Sequence, residues 1–248
     1  FHLAVAEGDE QHQVAAREAI RDQLEGLRWD GVPRIDSWLV DFARAKVYGE
    51  DGEDLREYVR RVSAMSLIAL VARALAPGCQ VDTVLVLETL KQGRRKSSLI
   101  RALGGEWSSS SAIDMRAKDG QMSASRYWVI ELAEMAHSTR TETESVRSFL
   151  SQVSDDFRAP YSPHLKRAPR RCVFFGTTND AQYLTDPAGN RRYWPVRCDD
   201  DAPVDLPGFL AARDQLLAEA VARFRVASRP ELSRGAVFTN HPQGDAGE

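Results

Sequence analysis

The chain has 248 residues, 43% of them hydrophobic and 28% charged, with a formal net charge of −3. That length supports one sizeable core, and the charge excludes a surface that is basic all over, as in a nucleic-acid coat, while leaving room for a local basic patch. No apolar run approaches the ~20 residues that cross a bilayer, and Cys79, Cys172 and Cys198, odd in number and far apart, form neither a disulfide framework nor a zinc pattern.

In chain order, Gln13 to Leu27 carries Ala, Glu, Arg and Leu at helical spacing, and Trp29-Asp30-Gly31-Val32-Pro33 breaks the pattern. A short helix is predicted over Ser37 to Ala45, with Ser37 as its N-cap and Trp38, Leu39 and Phe42 on its apolar face. Gly49 to Gly52 reads as a loop. Leu55 to Leu75 reads as a long helix stopped by Pro77-Gly78. The pattern then changes: Val81 to Leu87 is a β-branched apolar run expected of a buried parallel strand. Two further strands are predicted, Tyr127 to Ile130 and Arg171 to Gly176, separated by a helix over Thr141 to Val153. A last helix covers Pro207 to Arg225, and the Gly, Pro, Asn and Asp beyond Arg234 favour a flexible tail. The alternation predicts an α/β core (79–228) after a helical region (1–78) and before a flexible tail (229–248). The opening Phe1-His2-Leu3 lacks the layout of a signal peptide, and the chain reads as a segment of a longer cytoplasmic protein.

The first strand leads into Leu90-Lys91-Gln92-Gly93-Arg94-Arg95-Lys96-Ser97, which is half of a phosphate-binding loop. An intact loop reads G-x-x-x-x-G-K-[ST]: backbone N–H groups cradle phosphates, the lysine reaches the outer ones and the hydroxyl holds Mg²⁺. Gln92 to Ser97 are the candidate nucleotide-binding residues, with Lys96 and Ser97 in the last two motif positions. Leu90 and Arg95 stand where the motif has glycine, although Gly93 survives between them. Hydrolysis of a nucleoside triphosphate also needs a metal held by an acid, a positioned water and positive charge at the leaving phosphates. Glu131, after the second strand, is placed to hold Mg²⁺ with Ser97, and Glu134 to polarise the water. Asn179, ending Gly176-Thr177-Thr178-Asn179, is a side chain able to bind the γ-phosphate or the water. Asp186-Pro187-Ala188-Gly189-Asn190-Arg191-Arg192-Tyr193-Trp194 offers Arg191 or Arg192 as a finger across a subunit boundary. Each piece alone has a plain structural alternative: a chance Lys-Ser, solvated glutamates, a Thr-Thr-Asn turn, surface arginines. Their order along the chain is what argues for a site.

Several motifs together resemble the virulence-associated protein E-like family: Trp29-Asp30-Gly31-x-Pro33-Arg34, Pro77-Gly78, Gln92-Gly93-x-x-Lys96-Ser97, Ile130-Glu131-Leu132-Ala133-Glu134, Phe157-Arg158-x-Pro160-Tyr161, Gly176-Thr177-Thr178-Asn179 and Asp186-Pro187-x-Gly189-Asn190-Arg191-Arg192-Tyr193-Trp194-Pro195. The resemblance runs from about Trp29 to Val196. It implies a P-loop ATPase of phages and mobile elements, similar to superfamily 3 helicases, with an AAA+-like core and a parallel sheet flanked by helices. It also implies ATP and Mg²⁺ as cofactors, a hexameric ring, and a primase domain in the same protein or in trans. By motif matching, Lys96 and Ser97 become the Walker A pair, Glu131 and Glu134 the Walker B acids, Asn179 the sensor, and Arg191 or Arg192 the trans finger. The departure is Walker A, where the family has glycine in place of Arg95.

Between the acids and the sensor lies Pro160 to Arg171, positioned like the pore hairpin of superfamily 3 helicases. His164, Lys166 and Arg167 are its candidates for binding single-stranded or forked DNA through charge and stacking. A solvated basic loop is the alternative. The sequence thus supports two readings: an ATP-dependent DNA helicase or translocase module, or a degenerate ATPase fold that binds DNA or protein without turnover.

Overall fold

The computed structural model describes residues 18–109, 124–132, 146–158, 165–180, 183 and 190–228, with the side chains of 156–158, 165, 166 and 190 excepted. Helix α1 covers 18–26. It is followed by α2 (Trp38–Asp41), α3 (Arg56–Leu75), strand β1 (Val84–Glu88), α4 (Lys96–Gly104) and β2 (Val129–Leu132). A helical stretch over 146–150, α5, precedes β3 (Ser154–Arg158), β4 (Leu165–Pro169), β5 (Val173–Thr178), β6 (Tyr193–Arg197) and α6 (Leu206–Ala227).

β1, β2, β5 and β6 form one sheet in the order β2-β5-β1-β6, with every pairing parallel. The chain is therefore an α/β protein with a parallel sheet flanked by helices and preceded by a helical region. The β1, β2 and β5 strands are apolar runs buried on both faces, as parallel sheets require. On one face Leu85, Leu87, Val129, Phe175, Trp194 and Val196 join a core shared with α3, α4 and α6. That same core takes in Leu24, Ile35, Trp38 and Leu39, so the helical region and the sheet bury their apolar surface together. On the other face Val84, Val86, Ile130, Phe174 and Tyr193 pack with Phe149 and Leu150. Two buried tryptophans find carbonyl acceptors inside this core: Trp38 Nε1 donates to Ser63 O at 2.8 Å and Trp128 Nε1 to Leu70 O at 2.9 Å. Gly104 lets α4 close on β2, since a Cβ there would sit 2.8 Å from Val129 Cγ2.

The fold corrects the sequence reading in places. The helix expected over Ser37–Ala45 is only Trp38–Asp41. Ser37 does not cap it; its hydroxyl donates to Asp41 Oδ2 at 2.6 Å. Arg44 turns into the left-handed region at φ 61°, which ends the helix and sends Ala45 into a bridge with Cys198. The helix expected over Thr141–Val153 is helical at 146–150 and gives way to β3 at Ser154; its first residues, 141–145, lie outside the described residues. β6 was not anticipated as a strand, and it contains Pro195, which a central strand would not tolerate. It lies at the sheet edge, where a missing N–H is tolerated. The expected tail, 229–248, lies outside the described residues. No helix among the described residues is long and apolar enough to cross a membrane.

β3 and β4 pair antiparallel, from Ser154 opposite Pro169 to Arg158 opposite Leu165. Arg170 anchors the base of this hairpin: its buried guanidinium pairs with buried Asp155, donates to Phe149 O and lies 4.4 Å from the Phe149 ring centroid. Such a pair is tolerated inside a protein because each charge is matched and hydrogen-bonded.

Candidate functional site

In an open parallel sheet, ligands bind beyond the carboxyl ends of the strands. Four strands end on one edge here: β1 at Glu88, β5 at Thr178, β2 at Leu132 and β6 at Arg197. The residues that follow them meet. From β1 comes the loop Thr89–Arg95, then α4; from β5 comes Asn179. Because β5 lies between β1 and β2, Asn179 leaves the sheet between the phosphate-loop strand and the Glu131 strand.

Lys96, buried at 7% exposure, donates from Nζ to Asn179 Oδ1 at 2.7 Å and to Thr89 Oγ1. Thr89 Oγ1 in turn donates to Lys91 O at 2.8 Å. Burial holds the Lys96 ammonium below its ordinary pKa, against the opposing pull of nearby Cys198, Asp200 and Glu131. Glu131 is buried in β2 and accepts from Thr177 Oγ1 at 3.0 Å, with Arg101 of α4 at 3.9 Å. Glu88, at the end of β1, accepts from Tyr183 Oη at 2.6 Å, and burial raises its carboxyl pKa.

The loop itself turns through two left-handed residues, Gly93 at φ 76° and Arg95 at φ 62°, ψ 22°. Arg95 therefore stands at the glycine position of the motif and adopts the backbone geometry that favours glycine there. Its side chain points to solvent. Among the described residues, none accepts a hydrogen bond from the backbone N–H groups of Gly93 to Ser98. These groups, which include the first-turn N–H groups of α4, form with Lys96 and the exposed Arg95 a surface suited to an anion. The residues present fit the phosphates of a nucleotide. For a divalent metal, Ser97 and Glu131 are the available oxygen donors; no group of three or more His, Cys, Asp or Glu that could hold a metal occurs among the described residues.

The other candidates are placed as follows. Gln92, Gly93, Arg94, Arg95, Lys96 and Ser97 lie in the loop and the first turn of α4. Glu134 and His164 lie outside the described residues. Lys166 falls in β4 with no side-chain description, and Arg167 is exposed in the same strand, donating from Nε to Ser154 Oγ at 3.0 Å. Arg191 and Arg192 sit on the turn entering β6, at the opposite edge of the sheet from Lys96. One strand of five residues separates the edges, about 16 Å. Arg192 Nε donates to Ser151 Oγ at 3.2 Å and lies 3.9 Å from Asp82. The structure thus brings Lys96, Asn179, Ser97 and Glu131 to one edge and leaves Arg191 and Arg192 away from it within the chain.

Sequence reasoning missed Thr89, Thr177, Arg197 and Asp200. The first two are neighbours of motif residues that supply hydroxyls to Lys96 and Glu131. The signal for the others was the run Asp199-Asp200-Asp201, a block of negative charge with a basic loop as its natural complement.

Residues 24–240 match the virulence-associated protein E-like domain, and the chain belongs to that family. Among solved structures it is similar to the A-form apo structure of the NrS-1 C-terminal region, with a TM-score of 0.50 and 13% identity over 80% of this chain and 47% of that one. A second apo structure of that region gives a TM-score of 0.45 and 14% identity, over 81% and 46%. The chain spans about half the length of these NrS-1 chains. Comparison with curated proteins returns no match.

Proposed function

We propose that this chain is the nucleotide-driven motor module of a replication protein, of the superfamily 3-like helicase or translocase type, with an AAA+-like core. The observation that carries the reading is the convergence of Lys96, Thr89 and Asn179 in one hydrogen-bonded cluster at the carboxyl edge of the sheet, flanked by buried Glu131. Four residues in that arrangement are of the kinds that phosphoryl transfer uses. Family membership supports the same conclusion, as a module of phage or mobile-element replication.

In this reading the N–H groups of Gly93 to Ser98 bind the phosphates of ATP, and Lys96 turns from Thr89 and Asn179 to the outer phosphates. Asn179 presents its Oδ1 to Lys96, which leaves its Nδ2 donor for the γ-phosphate or the attacking water. Glu134 polarises that water. Mg²⁺, when bound, neutralises charge on the phosphates, and Ser97 and Glu131 are the residues that would hold it. Arg191 and Arg192, about 16 Å from their own loop, act on a neighbouring subunit's nucleotide, so the active form is a ring, a hexamer in the family pattern. The β3–β4 hairpin, with His164, Lys166 and Arg167, tracks single-stranded or forked DNA, and a primase domain works beside it in the same protein or in trans.

Phosphate release from ATP, measured with and without single-stranded DNA, tests this. The expected result is a rate that DNA stimulates and Lys96→Ala abolishes, with particle mass rising on addition of an ATP analogue. A second reading, a binding module without turnover, is favoured by Arg95 in the left-handed conformation at a glycine position. A wild type that hydrolyses nothing and stays a single chain with every nucleotide sinks the motor reading in favour of the second.

A further inference from the structure

The loop lacks the first glycine of its motif and carries Leu90 there. Something other than glycine must therefore hold the turn that leaves β1. The geometry points to Asp200 as the residue that positions the phosphate loop, gripping its first half from the segment that follows β6.

Asp200 Oδ1 accepts from the backbone N–H of Leu90 at 2.6 Å and lies 3.4 Å from that of Lys91. Its other oxygen accepts from Arg197 Nη2 at 2.7 Å. The neighbouring residues add to the grip: Lys91 Nζ meets Asp201 Oδ1 at 2.5 Å, Arg94 Nη1 donates to Asp201 O at 3.3 Å, and Val204 N–H donates to Arg94 O at 3.1 Å. The loop is thus held at Leu90, Lys91 and Arg94, while the N–H groups from Gly93 to Ser98 keep no acceptor among the described residues.

The gripping segment is itself fixed to the body of the protein. Cys198 N–H donates to Glu88 O at 2.8 Å, Asp199 N–H to Arg44 O at 2.9 Å and Asp205 N–H to Phe42 O at 2.8 Å. A carboxylate so anchored transmits a fixed position to the two amides it binds. It is also ionised at neutral pH: partial burial works to raise its pKa, but the Leu90 N–H and the Arg197 guanidinium outweigh that and hold it below the usual value. A charged acceptor makes these the stronger class of hydrogen bond.

The part of this role that concerns nucleotide affinity rests on the proposed nucleotide site; the part that concerns loop shape does not. Both are read on the whole chain, comparing wild type, Asp200→Ala and Asp200→Asn. One measurement is amide hydrogen exchange at Leu90 and Lys91 without nucleotide, the other is affinity for a fluorescent ADP with Mg²⁺. Asp200→Ala is expected to speed loop exchange and to weaken binding, each about tenfold. Asp200→Asn keeps a carbonyl acceptor and stays within about threefold on both, a rescue that a general loss of stability would not produce. If Asp200→Ala fails to fold, Asp200→Ser removes the carboxylate more gently and is judged by the same readings. Unchanged loop exchange in the variant lacking the carboxylate overturns the proposal. Unchanged affinity beside a binding wild type overturns its role in nucleotide binding. A wild type that binds no ADP sinks the nucleotide site instead, and exchange alone then decides for or against Asp200.

Discussion

Two family-motif segments, Trp29–Arg34 and Leu90–Ser97, are held by the same device in opposite settings. In the first, Glu219 Oε2 of α6 accepts the consecutive N–H groups of Arg34 at 2.6 Å and Ile35 at 3.0 Å. In the second, Asp200 Oδ1 faces those of Leu90 and Lys91. Glu219 is fully buried and its other oxygen takes Arg223 Nη2 at 2.6 Å, while Arg223 also reaches Asp36. Its neighbours are paired in turn: Arg34 with Asp30, whose N–H donates to Gln215 Oε1 at 3.0 Å. Around Asp200 the matching stops halfway along the loop, and the backbone N–H groups from Gly93 to Ser98 have no acceptor among the described residues. A motif whose bonds close within the molecule serves the fold. One whose bonds are left open is free for the ligand proposed above.

The sharpest way to break this contrast is Glu219→Ala. It leaves the buried N–H of Ile35 and the part-buried N–H of Arg34 without their acceptor, while Arg223 keeps Asp36. The loss should cost about 3 kcal/mol and lower the melting temperature by roughly 6–12 °C. Glu219→Gln, keeping one acceptor, should recover about half of that. Thermal unfolding checks both, and a loss of less than about 1 kcal/mol would mean the N-terminal motif is not structural. Lys96→Met probes the opposite region. It should weaken nucleotide affinity at least about tenfold while leaving stability within about 1 kcal/mol, because the lysine it removes is a desolvated cation whose hydrogen-bond partners among the described residues are Thr89 and Asn179. A melting temperature that collapses in this variant would place Lys96 with the structural motif instead.

A smaller effect follows from the direction of the Lys96 shift. Its pKa lies below that of an exposed lysine because burial disfavours the charged form. As pH rises through the folded value the ammonium is lost before an exposed lysine would lose its own, so nucleotide affinity should begin to fall at a lower pH than an exposed lysine would dictate. The desolvation penalty on the folded state is present below that folded value and is relieved as pH rises above it, so stability should not fall in step with affinity. A parallel fall of both in titration calorimetry and thermal melts would remove the distinction.

Much of this was legible from residue pattern. β1, β2 and β5 are visible as apolar runs because a parallel sheet buries both faces, and the order of Lys96, Glu131 and Asn179 follows from that alternation. β6 was not anticipated, and no local pattern reveals the edge position that tolerates its Pro195. The short α2 was hidden because Arg44 leaves the helix to let Ala45 bridge Cys198, a contact 153 residues away in sequence. Asp200 and Glu219 were hidden for the same reason: each holds amides more than 100 residues distant, and although the run Asp199-Asp200-Asp201 marks a charged block, it does not say which amides that block binds.

Arg95→Gly makes the finest cut between the two regions, because it bears on whether the open loop is strained as well as unmatched. An L-residue in the left-handed region costs about 1–2 kcal/mol, while glycine brings back unfolded-state freedom costing roughly half to one. The two nearly cancel, so the melting temperature should rise by no more than about 3 °C. Affinity should respond differently. Glycine removes the Cβ at the position where, in the proposed site, the phosphates would come nearest the backbone, and removes a guanidinium able to pair with them. If crowding dominates, affinity and turnover rise together; if the guanidinium has taken over the work of the lost glycine, both fall. A rise is expected, because Arg95 points to solvent and pairs with nothing among the described residues. A fall would show that this loop has been rebuilt around charge, with Asp200 fixing one half and Arg95 holding the ligand in the other.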